Sequence, residues 1–254
     1  MCKLTLHQTL PKLSLARDNT MNAYQNDLGQ PIGFPITNWE PRPRPSRVPI
    51  NGRFCHLTPV DPVAYASDLF SAYRTDQTGA RWTYLPYGPF DTFADFQTWL
   101  MATCLKEDPF FFTIIDNQTN KAVGLASYLR IAPQMGVIEV GHIHFAAAMQ
   151  KTAVATEAMY LMMHYVFDEL GYRRYEWKCD ALNVPSRKAA QRLGFQFEGI
   201  FRQALMYKGR NRDTAWFSII DSEWPKLKRA FEQWLKPENF DGNGRQRQSL
   251  AAFR

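Results

Sequence analysis

The sequence of 254 residues lacks the features that mark membrane-spanning, secreted and nucleic-acid-binding proteins. No apolar run reaches the about 18 residues that a membrane-spanning helix needs. The N-terminus, MCKLTLHQTL, has no basic segment followed by an apolar core, so no secretion signal is indicated. The net charge is +6, yet Lys and Arg never form a run of five or more, which argues against nucleic-acid binding. These absences predict a cytoplasmic protein whose partners include neither membrane nor nucleic acid.

Cysteine is scarce, and its spacing excludes the usual metal-binding and redox motifs. No C-x-x-C pair occurs, and no histidine stands at zinc-ligand spacing from any of Cys2, Cys55, Cys104 and Cys179. We therefore expect four reduced, mostly buried thiols and no metal site. Reduced thiols agree with a cytoplasmic location.

Residues 1–50 differ from the rest of the chain because proline is frequent there. The segment GQPIGFPITNWEPRPRPSRVP contains six prolines, which exclude a helix or a central strand. We expect an extended arm that lies on the following domain, with Phe34, Ile36 and Trp39 as apolar anchors; a free linker is the alternative. Whether the arm packs on its own domain or reaches across a homodimer stays open.

Residues 51–236 are predicted to form one domain, followed by a polar C-terminal tail at 237–254. The segments RFCHLTPV, FFFTIID, AVGLASYLRI and RRYEWKCD predict strands, and GVIEVGHIHF, apolar on both faces, predicts a central strand. Apolar residues recur at helical spacing in DPVAYASDLFSAY, in FADFQTWLMATCLK, with Asp91 or Thr92 as N-cap, and after Thr152, where Gly171 ends the long helix. The segment VPSRKAAQRLG predicts a short helix closed by Gly194. This order predicts a mixed α/β (α+β) fold with a largely antiparallel sheet.

Three consecutive segments carry a set of motifs: IEVGHIHFAAAMQKTAVATEAM, KCDALNVPSRKAAQRLGF and FEGIFRQALMYKGRNRDTAWFSI. They resemble the GNAT superfamily of N-acetyltransferases, most closely the branch that includes the ribosomal-protein N-terminal acetylases. The resemblance covers roughly residues 53–235 and leaves the N-terminal arm outside. It implies a twisted, largely antiparallel sheet flanked by helices, acetyl-coenzyme A as co-substrate and a primary amine as acceptor.

The loop before the long helix lacks the glycine that the family's Q/R-x-x-G-x-G/A motif carries, since Ala153 replaces it. Glycine is needed only where φ is positive or where a ligand touches the Cα, so alanine is compatible with binding if the backbone stays helical. A helix N-terminus presents free N–H groups to a diphosphate. The resemblance implies that the pyrophosphate of coenzyme A is held by Gln150, Lys151, Thr152, Ala153, Val154, Ala155 and Thr156. A plain strand–helix corner is the alternative.

The resemblance implies further cofactor contacts beside this loop. The preceding strand should separate from YEWKCD and pair with the pantetheine arm through His144, Phe145 and Ala146. In the Asn-x-x-Ser motif, Asn183 would hold the cofactor and Ser186 would protonate the leaving thiolate. Alternatively, Asn183 caps a helix and Ser186 is a solvated serine of its first turn. The tyrosine that many members use as the acid is absent, because Ala190 occupies its position.

Attack of an amine on a thioester needs a proton acceptor for the amine, a donor to the carbonyl oxygen and a proton for the thiolate. Glu139 and His142 are the candidate bases on the cofactor strand. Strict alternation places Glu139 on one face and both His142 and His144 on the other. The alternatives are a carboxylate paired with an arginine and core histidines bonded to the backbone.

The acceptor side is expected in the aromatic segment RWTYLPYGPF, where the family builds its substrate wall. Its candidate pocket residues are Trp82, Tyr84, Tyr87 and Phe90; packing onto the core is the alternative. The hairpin turn carries three cations that either attract an acidic acceptor or are solvated, namely Lys208, Arg210 and Arg212. We expect a small-molecule amine as acceptor. A protein or peptide N-terminus, or a degenerate module that only binds coenzyme A, are the alternatives.

Overall fold

The computed structural model describes residues 24–254, so Cys2 and the first 23 residues of the predicted arm lie outside the described part. The chain divides into two compact units, Met1–Glu40 and Pro41–Arg254. In the first unit, β1 (Tyr24–Gln25) and β2 (Pro31–Ile32) form a two-stranded antiparallel sheet. The predicted anchors Phe34 and Ile36 are 54% and 47% exposed.

The second unit contains an eight-stranded sheet, which confirms the predicted fold class. The strand order is β3-β4-β5-β6-β7-β8-β10-β9, and every neighbouring pair is antiparallel except β7–β8. The strands are β3 (Ile50–Asn51), β4 (Cys55–Pro59), β5 (Phe110–Asp116), β6 (Lys121–Ala132), β7 (Val137–Phe145), β8 (Arg174–Asp180), β9 (Gln196–Tyr207) and β10 (Arg210–Ile220). The helices are α1 (Pro62–Tyr73), α2 (Phe93–Cys104), α3 (Ala153–His164), α4 (Val184–Leu193) and α5 (Trp224–Trp234).

The helices begin and end where local chemistry dictates. Thr92 and Thr152 cap α2 and α3 by accepting a backbone N–H, as polar N-cap residues do. Gly194 closes α4 in the left-handed conformation, with φ +107°, which confirms the predicted C-cap. Helix α3 ends at His164 and continues as a π-helical turn, Tyr165–Glu169. Gly171 then follows in the left-handed conformation, with φ +69°, which confirms that the long helix ends at this glycine.

Two hydrophobic cores lie on opposite faces of the sheet, because successive strand side chains alternate between faces. The α3 face is covered by α3, α4 and α5, and includes Phe112, Tyr128 and Val140. The α1 face is covered by α1 and α2, and includes Phe111 and Leu125. Both cores are rich in aromatic side chains. Three cysteines are free and buried in these cores, as predicted: Cys55, Cys104 and Cys179.

Residues 41–50 and the C-terminal tail, both within the second unit, are packed against the predicted domain. Residues 41–50 belong to the second unit, and Arg47 in this segment forms an ion pair with Glu107 of the predicted domain at 2.7 Å. In the tail, Leu250 is only 1% exposed, and Asn239 Nδ2 donates to the carbonyl of Trp234. Between residues 24 and 254, no helix combines the length and apolar character that a bilayer span would require.

The buried carboxylate of Glu157 ties α3 to the start of the sheet. It accepts backbone N–H groups from three consecutive residues, Arg53 (2.9 Å), Phe54 (2.5 Å) and Cys55 (2.8 Å). A Cβ on Gly52 would stand 2.7 Å from this carboxylate, so the close approach requires glycine. Three N–H donors on one carboxylate form a strong, charge-assisted anchor.

We expect the substitution Glu157→Gln to lower the free energy of unfolding by roughly 2–4 kcal/mol, because an amide NH₂ would face N–H donors. Urea unfolding followed by far-UV circular dichroism measures the loss. The exposed Glu238→Gln is the matched control and should change stability by less than about 0.5 kcal/mol. Equal stability of the two variants would contradict the anchoring role.

Candidate active site

The central feature is a gap in the sheet between β7 and β8. Their parallel pairing runs only from Val137 and Arg174 to Val140 and Trp177. Beyond this point β7 stays paired with β6 as far as Phe145, while β8 stays paired with β10. The two strands therefore diverge, and their facing backbone edges have no strand partner beyond the divergence.

A cleft of about 950 Å³ passes through the sheet at this gap. Its lining includes Met159 and Trp177, which belong to the core of the α3 face. It also includes Glu139 and Lys178, which alternation places on the α1 face. One continuous space thus joins the helix α3 side to the opposite, more polar side of the sheet.

The loop before α3 forms one wall of this cleft. All but one of the predicted loop residues line it, namely Gln150, Lys151, Thr152, Ala153, Ala155 and Thr156. Val154 packs against the core instead. Ala153 is the first residue of α3 and is helical, whereas the positive φ of the loop, +62°, falls on Lys151. The alanine therefore occupies a position where the backbone does not require glycine.

The start of α3 has the character of an anion site. Thr152 Oγ1 accepts the N–H of Ala155 at 3.4 Å, while the first amides of a helix have no partner within it. The predicted site did not include Arg192 on α4, whose Nη1 donates to Thr156 Oγ1 at 3.1 Å. Arg192 shares one helical face with Pro185 and Ala189, which also line the cleft, and this spacing was the signal that would have identified it.

Asn183 and Ser186 both line the cleft at the start of α4. Asn183 is the N-cap residue, and its Oδ1 accepts the N–H of Ser186 at 3.1 Å. The Ser186 hydroxyl accepts the indole N–H of Trp177 at 3.0 Å. Because that bond uses a lone pair of the oxygen, the hydroxyl hydrogen can still be donated.

A β-bulge at His142 changes the predicted orientation of the following residues. Gly141 faces Ser127 and His144 faces Leu125, so two residues of β7 stand opposite one residue of β6. The φ of His142 is +50°. The prediction that His144 lies on the face opposite Glu139 was wrong, because the bulge inserts one residue into the alternation.

Glu139 lies in a buried ion-pair network. Its Oε2 contacts Arg130 Nε at 2.7 Å and Lys178 Nζ at 2.8 Å, and the carboxylate side chain is 3% exposed. Lys178 Nζ also contacts Glu176 at 2.7 Å. This environment matches the alternative interpretation of Glu139 as a paired strand carboxylate. As a base it would have to give up two cations that hold the same oxygen.

His142 lies at the cleft, with its Nδ1 3.0 Å from the hydroxyl of Tyr87. Burial, with smaller contributions from Arg130 and Arg212, lowers the pKa of His142 from 6.5 to about 4. Its ring is therefore neutral at pH 7. A neutral imidazole can accept a proton, but this one is a weak base.

His144 does not line the cleft, and its side chain is buried, with 4% exposure. Its ring packs against Tyr73 and Trp82, with centroids 4.1 and 3.8 Å away, and neither ring nitrogen has a hydrogen-bond partner within the described residues. Burial lowers the pKa of His144 to about 3. Its carbonyl accepts the Tyr73 hydroxyl, and the N–H of Ala146 donates to Val123. The His144 carbonyl and the Ala146 N–H, which were predicted to bind the cofactor, thus already have partners within the protein. The part of the β7 edge without a strand partner lies nearer Gly141.

The structure divides the predicted acceptor residues between two spaces. Tyr84 lines the cleft, and its hydroxyl donates to the carbonyl of Leu182 at 3.2 Å. Tyr87 reaches the cleft through its bond to His142. Trp82 and Phe90 instead line a separate cavity of about 400 Å³ beside α1 and α2.

The hairpin between β9 and β10 is fastened to the aromatic loop. Lys208 Nζ donates to the carbonyl of Trp82 at 2.8 Å, and Arg210 Nη2 donates to the carbonyl of Thr83 at 2.7 Å. Two of the three turn cations are therefore engaged as tethers. With the bond of Tyr84 to Leu182, these tethers bridge the end of the cleft where acceptor binding was predicted, which is called the acceptor end below.

No cluster of three His, Cys, Asp or Glu side chains in residues 24–254 is arranged to hold a metal ion.

The comparisons with known proteins agree with this geometry. The sequence model of the acetyltransferase (GNAT) domain matches residues 56–196, more than half of the chain. The crystal structure of a GCN5-related N-acetyltransferase from Brucella melitensis is 48% identical, with a TM-score of 0.84, and the match covers 86% of this chain and 99% of that one. The crystal structure of a GNAT-family protein from Chromobacterium violaceum is 38% identical, with a TM-score of 0.72, and the match covers 77% of this chain and 98% of that one.

Curated relatives match over a shorter region. The N-acetyltransferase p20 of Bacillus licheniformis is 31% identical over 113 residues, which are 44% of this chain and 63% of that protein. The ribosomal-protein-serine acetyltransferase of Escherichia coli is 28% identical over 105 residues, which are 41% and 58% of the two chains. The chain thus spans less than two thirds of the length of these curated relatives.

Replacing His144 by phenylalanine should keep the ring packing and remove a titrating group. The unfolded state takes up a proton below pH 6.5, whereas folded His144 does so only near pH 3, so wild-type stability falls as the pH drops. We expect His144→Phe to reduce the loss of unfolding free energy between pH 6.5 and pH 5 by about 2 kcal/mol. Urea unfolding of the wild type and the variant at each pH measures this loss. An identical pH dependence of the unfolding free energy in both proteins would contradict the low pKa of His144.

Proposed function

The chain belongs to the acetyltransferase (GNAT) family and is an acyltransferase, and from this premise we propose that it acetylates a small primary amine, with acetyl-coenzyme A as the donor. Transfer is direct, within a ternary complex. The observation that carries the proposal is the cleft that crosses the sheet where β7 and β8 separate. It allows donor and acceptor to approach one point from opposite faces.

The residues on the α3 face fit the cofactor. The first amides of α3, together with Lys151 and Arg192, would hold the diphosphate. The unpaired edge of β7 beyond Val140 would bind the amide groups of the pantetheine arm as an added strand would. When bound, acetyl-coenzyme A supplies an acetyl group already activated as a thioester.

In the proposed reaction Ser186 donates a proton to the sulfur. In the reaction the amine nitrogen bonds to the acetyl carbon, the carbon–sulfur bond breaks, the amine loses one proton and the thiolate gains one. The Trp177 indole N–H orients the Ser186 oxygen, so that the hydroxyl hydrogen is free to serve the thiolate. Many family members use a tyrosine as this acid, but Ala190 occupies that position here.

The closed acceptor end supports a small molecule as acceptor. The tethers from Lys208, Arg210 and Tyr84 bridge the aromatic loop to the hairpin and to the β8–α4 turn. A folded protein surface would have to break them to enter. A protein N-terminus remains the second candidate, because one relative is named a ribosomal-protein-serine acetyltransferase. A module that only binds coenzyme A is the third.

Buried free thiols at Cys55, Cys104 and Cys179 support a reducing compartment, and we propose the cytoplasm as the site of action.

The decisive experiment measures binding and turnover separately. Titration calorimetry with acetyl-coenzyme A should give one site per chain. Thiol release should then appear with a panel of small primary amines and not with peptides alone. Release only with peptides would favour the second candidate, and binding without release the third. Absence of binding to well-folded protein would overturn the enzyme assignment for this site.

Ser186→Ala should lower kcat by roughly 100-fold, the usual scale for loss of a general acid. The affinity for acetyl-coenzyme A should change little, because the backbone N–H that binds Asn183 is retained. Steady-state thiol release and calorimetry measure the two quantities. The exposed Ser222→Ala is the control. An unchanged kcat in the Ser186 variant would remove this residue from the chemistry.

The pH dependence of kcat/KM should follow the pKa of the acceptor amine and not that of His142. Since the pKa of His142 is about 4, its ring stays neutral from pH 6 to pH 9. We expect kcat/KM to rise with pH according to the pKa of the acceptor ammonium, and this limb to move when an amine of different pKa is used. His142→Gln should keep the limb. A limb fixed near pH 6–7 for every amine, and lost in that variant, would identify a histidine base.

A further inference from the structure

The acceptor end of the cleft, on the α1 face, has carboxylates that are already satisfied. Glu139 Oε2 is shared by Arg130 and Lys178. Asp180 accepts the Tyr207 hydroxyl at 2.7 Å and the N–H of Leu182 at 2.8 Å. Both carboxylates thus already accept donors from the protein.

Two guanidinium groups at the same end are only partly used. Arg130 donates from Nε to Glu139 at 2.7 Å, and Arg212 donates from Nε to Thr214 Oγ1 at 3.1 Å. Within residues 24–254, the Nη atoms of both have no hydrogen-bond or ion-pair partner. Both arginines line the cleft, and Arg130 is 52% exposed in its side chain. Each guanidinium therefore has Nη donors without a partner among the described residues, in a side chain that lines the cleft.

Both cations lie near His142. After burial, which is the larger cause, Arg130 and Arg212 lower the pKa of its ring. Arg212 is the third cation of the hairpin turn and the one that is not a tether, because Lys208 and Arg210 are bound to backbone carbonyls. Arg212 is thus the turn cation left for a ligand.

We propose that the acceptor is a small amine that carries a carboxylate, held by the Nη edge of Arg212 with Arg130 as the second cation. This inference rests on the proposed function and adds the chemical class of the acceptor. A planar guanidinium binds a carboxylate through two parallel hydrogen bonds, which fixes its orientation as well as its position. Anchoring the carboxylate at Arg212 orients the amine toward the gap.

The same charges make the amine reactive. Nearby cations disfavour the ammonium form of a bound acceptor and favour the neutral amine, which is the nucleophile. This effect reduces the need for a strong base at a site where Glu139 is paired and His142 is weak. Di- and polyamines, which bring additional positive charge, should be poor acceptors.

A matched pair of acceptors tests the proposal. 4-Aminomethylbenzoate and 4-methylbenzylamine share shape and a benzylic amine and differ in the carboxylate. We expect kcat/KM to favour the benzoate by about 10- to 100-fold, the scale of a bidentate charged contact. Arg212→Gln should bring the ratio toward one and leave acetyl-coenzyme A affinity unchanged. Arg202→Gln, on the exposed strand β9, is the control and should keep the ratio.

Binding of the products provides a readout that does not depend on turnover. In the presence of coenzyme A, calorimetry should show tighter binding of the N-acetylated benzoate than of the N-acetylated methylbenzylamine, and Arg212→Gln should abolish the difference. Equal affinities, no binding of the benzoate product, or a preference that persists in both Arg212→Gln and Arg130→Gln would overturn the proposal. Thiol release with uncharged amines and no carboxylate preference would overturn it while the proposed function stands. Failure of acetyl-coenzyme A to bind would overturn both.

Discussion

The end of hydrogen bonding between β7 and β8 is the constraint on which the site depends. Parallel strands that stayed paired beyond Val140 and Trp177 would close the sheet and separate its two faces. Their divergence leaves backbone groups without strand partners, which is costly unless a ligand or water binds them. Continued pairing of β7 with β6 and of β8 with β10 keeps the gap open.

Charged side chains hold the strands together across the root of this gap. Glu139 on β7 contacts Arg130 on β6 and Lys178 on β8, so one carboxylate links three strands. Lys178 in turn contacts Glu176 and lies over the ring of Trp216 at 3.7 Å. Buried charges persist only when they are paired, so the network is a structural unit as well as the border of the acceptor end.

The residues expected to hold the cofactor came together in the cleft more completely than those expected to bind the acceptor. Ala153 and Ser186 were assigned because short motifs resemble those of the family, and both line the cleft. Local patterns succeed there because a helix N-terminus is specified by a few neighbouring residues. The acceptor side is formed by β6, β7, β10 and the aromatic loop, which are far apart in sequence. In the sequence, Arg212 does not differ from the other two turn cations, Lys208 and Arg210. Only the tertiary structure shows that those two are bound to backbone carbonyls.

The order of strands and helices, the central position of β7 and the caps of α2 and α4 were determined by the sequence alone, since periodicity and capping are local properties. The tertiary structure decided three further matters: the bulge at His142, the pairing of Glu139 and the extent of the gap. Each depends on the register between strands that are distant along the chain. A single inserted residue reverses the face of every side chain after it, and no alternation pattern in one strand reveals where its partner makes room for that residue.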